Sequence, residues 1–271
     1  MRGADRRRSL RQILAAAVLA VLAQAAGSAP IEEIVRLPSE DGAVLPYLLS
    51  TDDSRPAQVA AVLFTGGPGT LGLLRKGIPR PGANFLVRER HRFLEQGIAT
   101  AVIDVPSDTQ TMSDRFRSSA RHARDVAAVV ADLKARLPEV RVYLAGTSRG
   151  TVSAAYGAAT LGNAVAGVVL SSSVFTSSNG GGLGLALFDY GSIRAPLLFV
   201  HHVDDSCPVT PYAAAAKLAA RYPLISVSGG DPPKSDACEP FSPHGYYGVE
   251  APTVAAMSRW MLGLDYPKRV P

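Results

Sequence analysis

An α/β fold, with a mostly parallel central sheet covered by helices on both faces and no large lid domain, is predicted by three observations. First, short runs rich in Val, Leu and Ile alternate with segments of helical periodicity. Strands buried on both faces read as continuous apolar runs, and the alternation is that of strand–helix–strand units. Second, about 245 residues remain once an N-terminal leader is set aside, enough for one domain with a full core. Third, Gly146-Thr147-Ser148-Arg149-Gly150 joins an apolar run to a small-residue segment, where a strand must turn sharply into a helix.

The leader is read from residues 1–25. Arg2, Arg6, Arg7, Arg8 and Arg11 form a basic start, and Ile13 to Ala23 is an apolar run too short to span a bilayer as a mature helix. Ala23-Gln24-Ala25 offers small residues where a signal peptidase cuts, so the expectation is an exported protein, periplasmic or secreted, with one domain over residues 26–271. The leader supplies four of the five formal positive charges of the chain. The mature chain is then close to neutral, no basic stripe with interleaved aromatics occurs, and nucleic acid is not expected as a partner. No stable membrane span is expected in the mature form.

Along the rest of the chain, Glu32–Leu37 and Val44–Ser50 read as strands, with a turn at residues 39–42. Gln58–Phe64 is a third strand, ending at Thr65-Gly66-Gly67-Pro68-Gly69. Asn84–Gln96 has helical spacing and Gly97 stops it. Ile98–Val105 is a strand, and Arg115–Arg136 a long amphipathic helix closed by Pro138. Arg141–Ala145 leads into the turn at Ser148, and Ala154–Leu161 continues the helix after it. Ala166–Ser171 and Pro196–His201 are further buried strands. Pro211–Arg221 reads as a helix, Leu224–Ser228 as a strand and Ala251–Leu262 as the last helix. Val174–Ser192 is rich in Gly and Ser and too short for a lid domain.

A serine on such a turn is held with its hydroxyl exposed near the positive end of the following helix. To become a nucleophile it needs a general base, and the base needs an orienting carboxylate. Of the five histidines, His91 and His122 precede Ser148 and read as surface or interhelical residues. His201 and His202 end a strand and read as local packing residues. His244 lies in the turn-rich stretch Ser242-Pro243-His244-Gly245 before the last helix and is the candidate base. Asp204 and Asp205 follow the Pro196–His201 strand at its C-terminal edge, where open α/β sheets place their sites. Asp205 is preferred for its reach, with Asp204 as the alternative.

These residues resemble the α/β-hydrolase fold family. Gly146–Gly150 is similar to its nucleophile elbow, and the order Ser148, Asp205, His244 is its Ser…Asp/Glu…His order. The four-residue step from the strand-end His201 to Asp205 also has the family's spacing. Thr65-Gly66-Gly67-Pro68-Gly69 resembles the family's oxyanion loop, with Thr65 where a His usually leads. The resemblance implies that backbone N–H groups of Gly67 and Arg149 bind the developing oxyanion. It implies a serine hydrolase acting on a small-molecule ester, or alternatively an amide, through an acyl-enzyme. For the amide alternative, Arg88, Arg90 and Arg149 are candidates to hold a substrate carboxylate, although Arg88 and Arg90 read more simply as a solvated helix face. A non-catalytic exported binding protein on the same fold is the reading from another class.

No Cys/His cluster has metal-ligand spacing, so neither a metal nor an organic cofactor is expected. The two cysteines, Cys207 and Cys238, are an even pair in an exported chain and are expected to form a disulfide. Cys207 stands two residues after Asp205 and Cys238 six before His244. The bond would tie the loop of the acid to the loop of the base.

Overall fold

The computed structural model describes residues 30–79, 84–176 and 182–271. The leader of residues 1–25 lies outside the described residues. Among the described residues, nine strands form one sheet in the order β1-β2-β4-β3-β5-β6-β7-β8-β9. They are β1 (Ile31–Pro38), β2 (Val44–Thr51), β3 (Val59–Phe64), β4 (Ile98–Ile103), β5 (Arg141–Thr147), β6 (Gly167–Ser171), β7 (Leu197–His202), β8 (Leu224–Val227) and β9 (Arg269–Val270). β1 and β2 pair antiparallel, β2 pairs antiparallel with β4, and every later neighbour is parallel. The open, mostly parallel sheet agrees with the expectation from the sequence.

All six residues of β3 are buried, and their alternation divides the core. Ala60, Val62 and Phe64 join one apolar cluster with Val126, Val129 and Leu133 of the long helix. Val59, Ala61 and Leu63 join the other, with Phe93, Met257 and Met261 from helices on the opposite face. The helices are α1 (Leu73–Lys76), α2 (Phe85–Arg88), α3 (Arg90–Glu95), α4 (Asp114–Arg117), α5 (Ala120–Arg136), α6 (Gly150–Leu161), α7 (Tyr212–Leu218) and α8 (Glu250–Leu262). No helix of the described residues is long and apolar enough to cross a membrane.

The structure divides two helices that the sequence reads as continuous. Asn84–Gln96 breaks at Glu89, whose φ of −98° and ψ of 7° leave helical geometry. Arg115–Arg136 breaks at Ser118-Ser119, because the Ser119 hydroxyl accepts from His122 N at 3.2 Å and starts a new helix. The short α1 and the two-residue β9 carry too little periodicity to be read from sequence. Between β6 and β7 the described residues hold only a 3₁₀ turn, Tyr190–Ser192, and no lid domain.

The parallel strands end on one rim. β3 delivers Thr65–Gly69 there, β5 delivers Ser148, β7 delivers Asp205, and the segment before α8 delivers His244.

Candidate active site

Ser148 sits between β5 and α6 with φ of +55°, a left-handed conformation that a residue with a Cβ adopts at a cost of about 1–3 kcal/mol. Its backbone is held on both sides. Ser148 N donates to Ser171 O on β6 at 3.1 Å, and Ser148 O accepts from Thr151 N at 2.9 Å and from the Thr151 hydroxyl at 2.6 Å. The two glycines of the turn are steric requirements. A Cβ on Gly146 would lie 2.4 Å from Gly150 O, and one on Gly150 would lie 2.1 Å from Phe64 O on β3. Helix α6 can therefore start only where strand and helix meet backbone to backbone.

Residues 65–69 arch over this turn. A Cβ on Gly66 would come 2.9 Å from Ser148 Cβ. Three of the loop carbonyls are engaged. Gly66 O accepts from Gly69 N, Gly67 O from Arg117 Nη2 at 3.3 Å, and Pro68 O from Met112 N at 2.8 Å. Among the described residues, nothing accepts from the N–H of Gly66, Gly67 or Arg149. Pro68 has no N–H to give.

Asp205 follows β7 and its side chain is fully buried. Oδ1 accepts from Cys207 N at 3.0 Å. Oδ2 accepts from the Thr210 hydroxyl at 2.8 Å and lies 3.0 Å from His244 Nδ1. With the carboxylate an acceptor only, Nδ1 carries the proton and Nε2 is left as the basic nitrogen. His244 is itself buried, on a 3₁₀ turn (Pro243–Gly245) capped by Ser242, whose hydroxyl accepts from His244 N at 3.2 Å. The Ser172 hydroxyl donates to His244 O at 2.8 Å, and Tyr246, at φ +59°, donates to Val200 O at 2.8 Å. These bonds fix the histidine turn to the ends of β6 and β7.

Ser148 and His244 line one cavity of about 360 Å³, together with Thr65–Leu71, Val87, Glu239 and Pro240. No hydrogen bond joins Ser148 to His244. The structure thus brings Asp205 and His244 into direct contact and sets Ser148 on the wall of the same cavity. Cys207 and Cys238 are bonded, with Cα atoms 4.7 Å apart across 31 residues of chain. Cys238 is also part of the cavity wall. Among the described residues, no three His, Cys, Asp or Glu side chains form a group that could hold a metal ion.

Other candidates are accounted for elsewhere. His202 Nδ1 accepts from Asp204 N, and its Nε2 donates to Gly229 O. His201 Nε2 accepts from Ser173 N at 3.0 Å; burial pushes this ring down to about 3, so it stays neutral. Of the two readings of His122, surface or interhelical, the structure takes the buried one: it packs against Phe64 and Phe116, and burial, helped by Arg117, pushes it down to about 3. Arg88 and Arg90 form no solvated face. Arg90 is buried on Glu32 at 2.6 Å and Arg88 pairs with Glu250 at 2.8 Å. Arg149 is held by Asp114 at 2.8 Å. All three guanidinium groups have carboxylate partners within the chain. Thr210, Ser172, Asp114 and Arg117 were not legible as site residues. A lone Thr or Arg in a loop or short helix carries no motif; only the G-x-S-x-G and T-G-G-P-G patterns mark the segments they brace.

No protein-family model matches this chain, and no curated protein matches its sequence. Solved structures do match. Est1E from Butyrivibrio proteoclasticus aligns at a TM-score of 0.59 and 17% identity over 85% of this chain and 98% of that one. Dienelactone hydrolase from Anabaena variabilis aligns at 0.58 and 15%, over 87% of this chain and 98% of that one. A lidless α/β serine hydrolase from Xanthomonas campestris aligns at 0.56 and 17%, over 84% and 94%. Likeness at this identity is likeness of fold.

Proposed function

From the α/β-hydrolase fold of this chain we propose that it is an exported serine hydrolase cleaving small-molecule esters through an acyl-enzyme. Ser148 Oγ attacks the acyl carbonyl carbon while His244 Nε2 takes its proton. Asp205 keeps His244 in the tautomer with Nδ1 protonated and stabilises the imidazolium that forms. The N–H groups of Gly67 and Arg149 receive the oxyanion of the tetrahedral intermediate. His244 then returns its proton to the departing alkoxide. A water, deprotonated by the same ring, attacks the acyl carbon and releases Ser148. An ester suits this site better than an amide, because an alkoxide leaves more readily than an amine and the arginines that could have held a peptide carboxylate are occupied.

The observation that carries the reading is the 3.0 Å contact of buried Asp205 with His244 on the cavity that also exposes a strained Ser148. The absence of a Ser148–His244 bond is compatible with it, since catalytic hydrogen bonds in unliganded sites are often long and tighten when substrate binds. The leader and the disulfide support export, because such bonds persist outside the reducing cytosol.

The test is labelling with a fluorophosphonate followed by peptide mass mapping. The expected result is one adduct on Ser148, lost in Ser148→Ala, with p-nitrophenyl ester hydrolysis reduced by about 10³-fold or more. Folded protein that takes up no label sinks the reading.

A further inference from the structure

We propose that Arg117 is a positioning residue for the oxyanion loop, setting the backbone geometry that presents the Gly67 N–H to the reacting carbonyl. This rests on the hydrolase reading and deepens it.

Arg117 is 1% exposed, among the largest fully buried side chains of the molecule. A buried guanidinium is costly unless paired. Yet among the described residues no carboxylate lies within ion-pair distance of it. Its donors instead go to three pieces of the site. Nε donates to Met112 O at 3.0 Å, Nη1 to Ser153 Oγ on the elbow helix α6 at 3.0 Å, and Nη2 to Gly67 O at 3.3 Å. Met112 in turn donates its N–H to Pro68 O. A Cβ on Gly69 would lie 2.5 Å from Nη2, so the loop rests directly on the guanidinium.

The consequence is directional. In a trans peptide the N–H points opposite the carbonyl of the preceding residue, so the Gly67 N–H points away from Gly66 O, which the turn bond from Gly69 N holds. Arg117 holds Gly67 O, and through Met112 it braces Pro68 O, so the two peptides that follow the Gly67 N–H are pinned and the turn that aims it is kept from rotating. The third bond, to Ser153, ties this loop to the helix that begins at the nucleophile turn. One planar, five-donor side chain can serve all three directions at once; a lysine ammonium lacks the fork geometry. The positive charge also sits behind the peptide that receives a developing negative charge. Asp114, which faces the group, is engaged by Arg149 and does not neutralise it by contact. His122 beside it stays neutral.

The experiment compares wild type, Arg117→Lys, Arg117→Met and Ser153→Ala in steady-state ester hydrolysis, with Ser148 labelling as a control. A donor of an oxyanion hole is worth about 10²–10³ in kcat. Misplacing one is expected to lower kcat about 10- to 100-fold in Arg117→Met, with KM within twofold. Arg117→Lys recovers part of the loss, and Ser153→Ala, which removes one of three tethers, loses several-fold in kcat at unchanged KM. Affinity for a trifluoromethyl ketone, which forms the oxyanion adduct, falls in parallel with kcat. Wild-type kcat in the variants, or a loss confined to KM, overturns the proposal while leaving the hydrolase reading intact. If Arg117→Met fails to fold, Ser153→Ala and Arg117→Lys decide by the same criterion. A wild type that takes no label on Ser148 sinks the hydrolase reading, and this proposal with it.

Discussion

Strain and polar satisfaction concentrate at single residues of this site. Of the five non-glycine residues with positive φ among the described residues, Ser148, Ser172 and Tyr246 stand at the rim and share its hydrogen bonds. Each holds an unfavourable backbone that only dense surroundings can enforce. Asp205 shows the same concentration, accepting from Cys207 N, Thr210 Oγ1 and His244 Nδ1. Thr210 is fully buried and its hydroxyl also lies 3.2 Å from His244 Nδ1. Its role is to limit the directions the carboxylate can take. Thr210→Val is therefore expected to lower kcat about 3- to 30-fold at similar KM, and Thr210→Ser to restore most of it. That range corresponds to about 0.7–2 kcal/mol, the span of a typical hydrogen bond up to the lower end for one made to a charged group. Steady-state kinetics with both variants check this, and equal losses in Val and Ser would assign the effect to packing.

At the scale of elements, the site is assembled from loops that follow different strands, and the fold must stop those loops from drifting apart. The backbone contact of Gly150 with Phe64 O locks β3, β5 and α6 together. The Cys207–Cys238 bond does the corresponding work for the acid and base loops, since Cys207 N binds the Asp205 carboxylate and Cys238 lines the cavity of His244. In the chain-entropy picture, closing a loop of this length contributes roughly 3–4 kcal/mol. The double variant Cys207→Ser/Cys238→Ser is expected to lose about that much in urea unfolding. Well below its Tm it is also expected to lose kcat, because the two loops then move independently. Unchanged kcat in the folded double variant would confine the bond to a stabilising role.

For the whole molecule, burial of titratable groups against one face of the sheet couples stability to pH. His122 and His201 are held neutral, each pushed down to about 3 by burial, whereas both would protonate near 6.5 when unfolded. A depressed folded value means the unfolded chain binds more protons between these limits. Stability is thus fully present above pH 6.5 and falls as pH drops toward 3. Each histidine contributes a slope of up to about 1.4 kcal/mol per pH unit. Urea unfolding free energies at pH 7, 6 and 5 should show the decline, and His122→Phe, which keeps an aromatic ring between Phe64 and Phe116, should make it shallower. An unchanged slope in that variant would mean His122 is not the titrating group.

What the sequence determined by itself is what local chemistry dictates. Apolar runs such as Val59–Phe64 and Leu197–His202 have one low-energy destiny, the middle of a two-sided sheet, and the fold class follows from them. Gly146 and Gly150 likewise mark the turn at Ser148, because no other residue fits where backbones touch. Ser148, Asp205 and His244 were readable as candidates, and the two cysteines as a pair, because each stood in a distinctive local setting. Only the tertiary structure decided what depends on distance through space. It divided two helices, at Glu89 by non-helical backbone angles and at Ser119 by a new N-cap, and it gave Arg88, Arg90 and Arg149 carboxylate partners from remote segments. It also buried Arg117 beneath Gly67 and Thr210 beside Asp205. Burial and hydrogen bonding between residues far apart in the chain leave no periodicity to read, so these braces became visible only once the chain had packed.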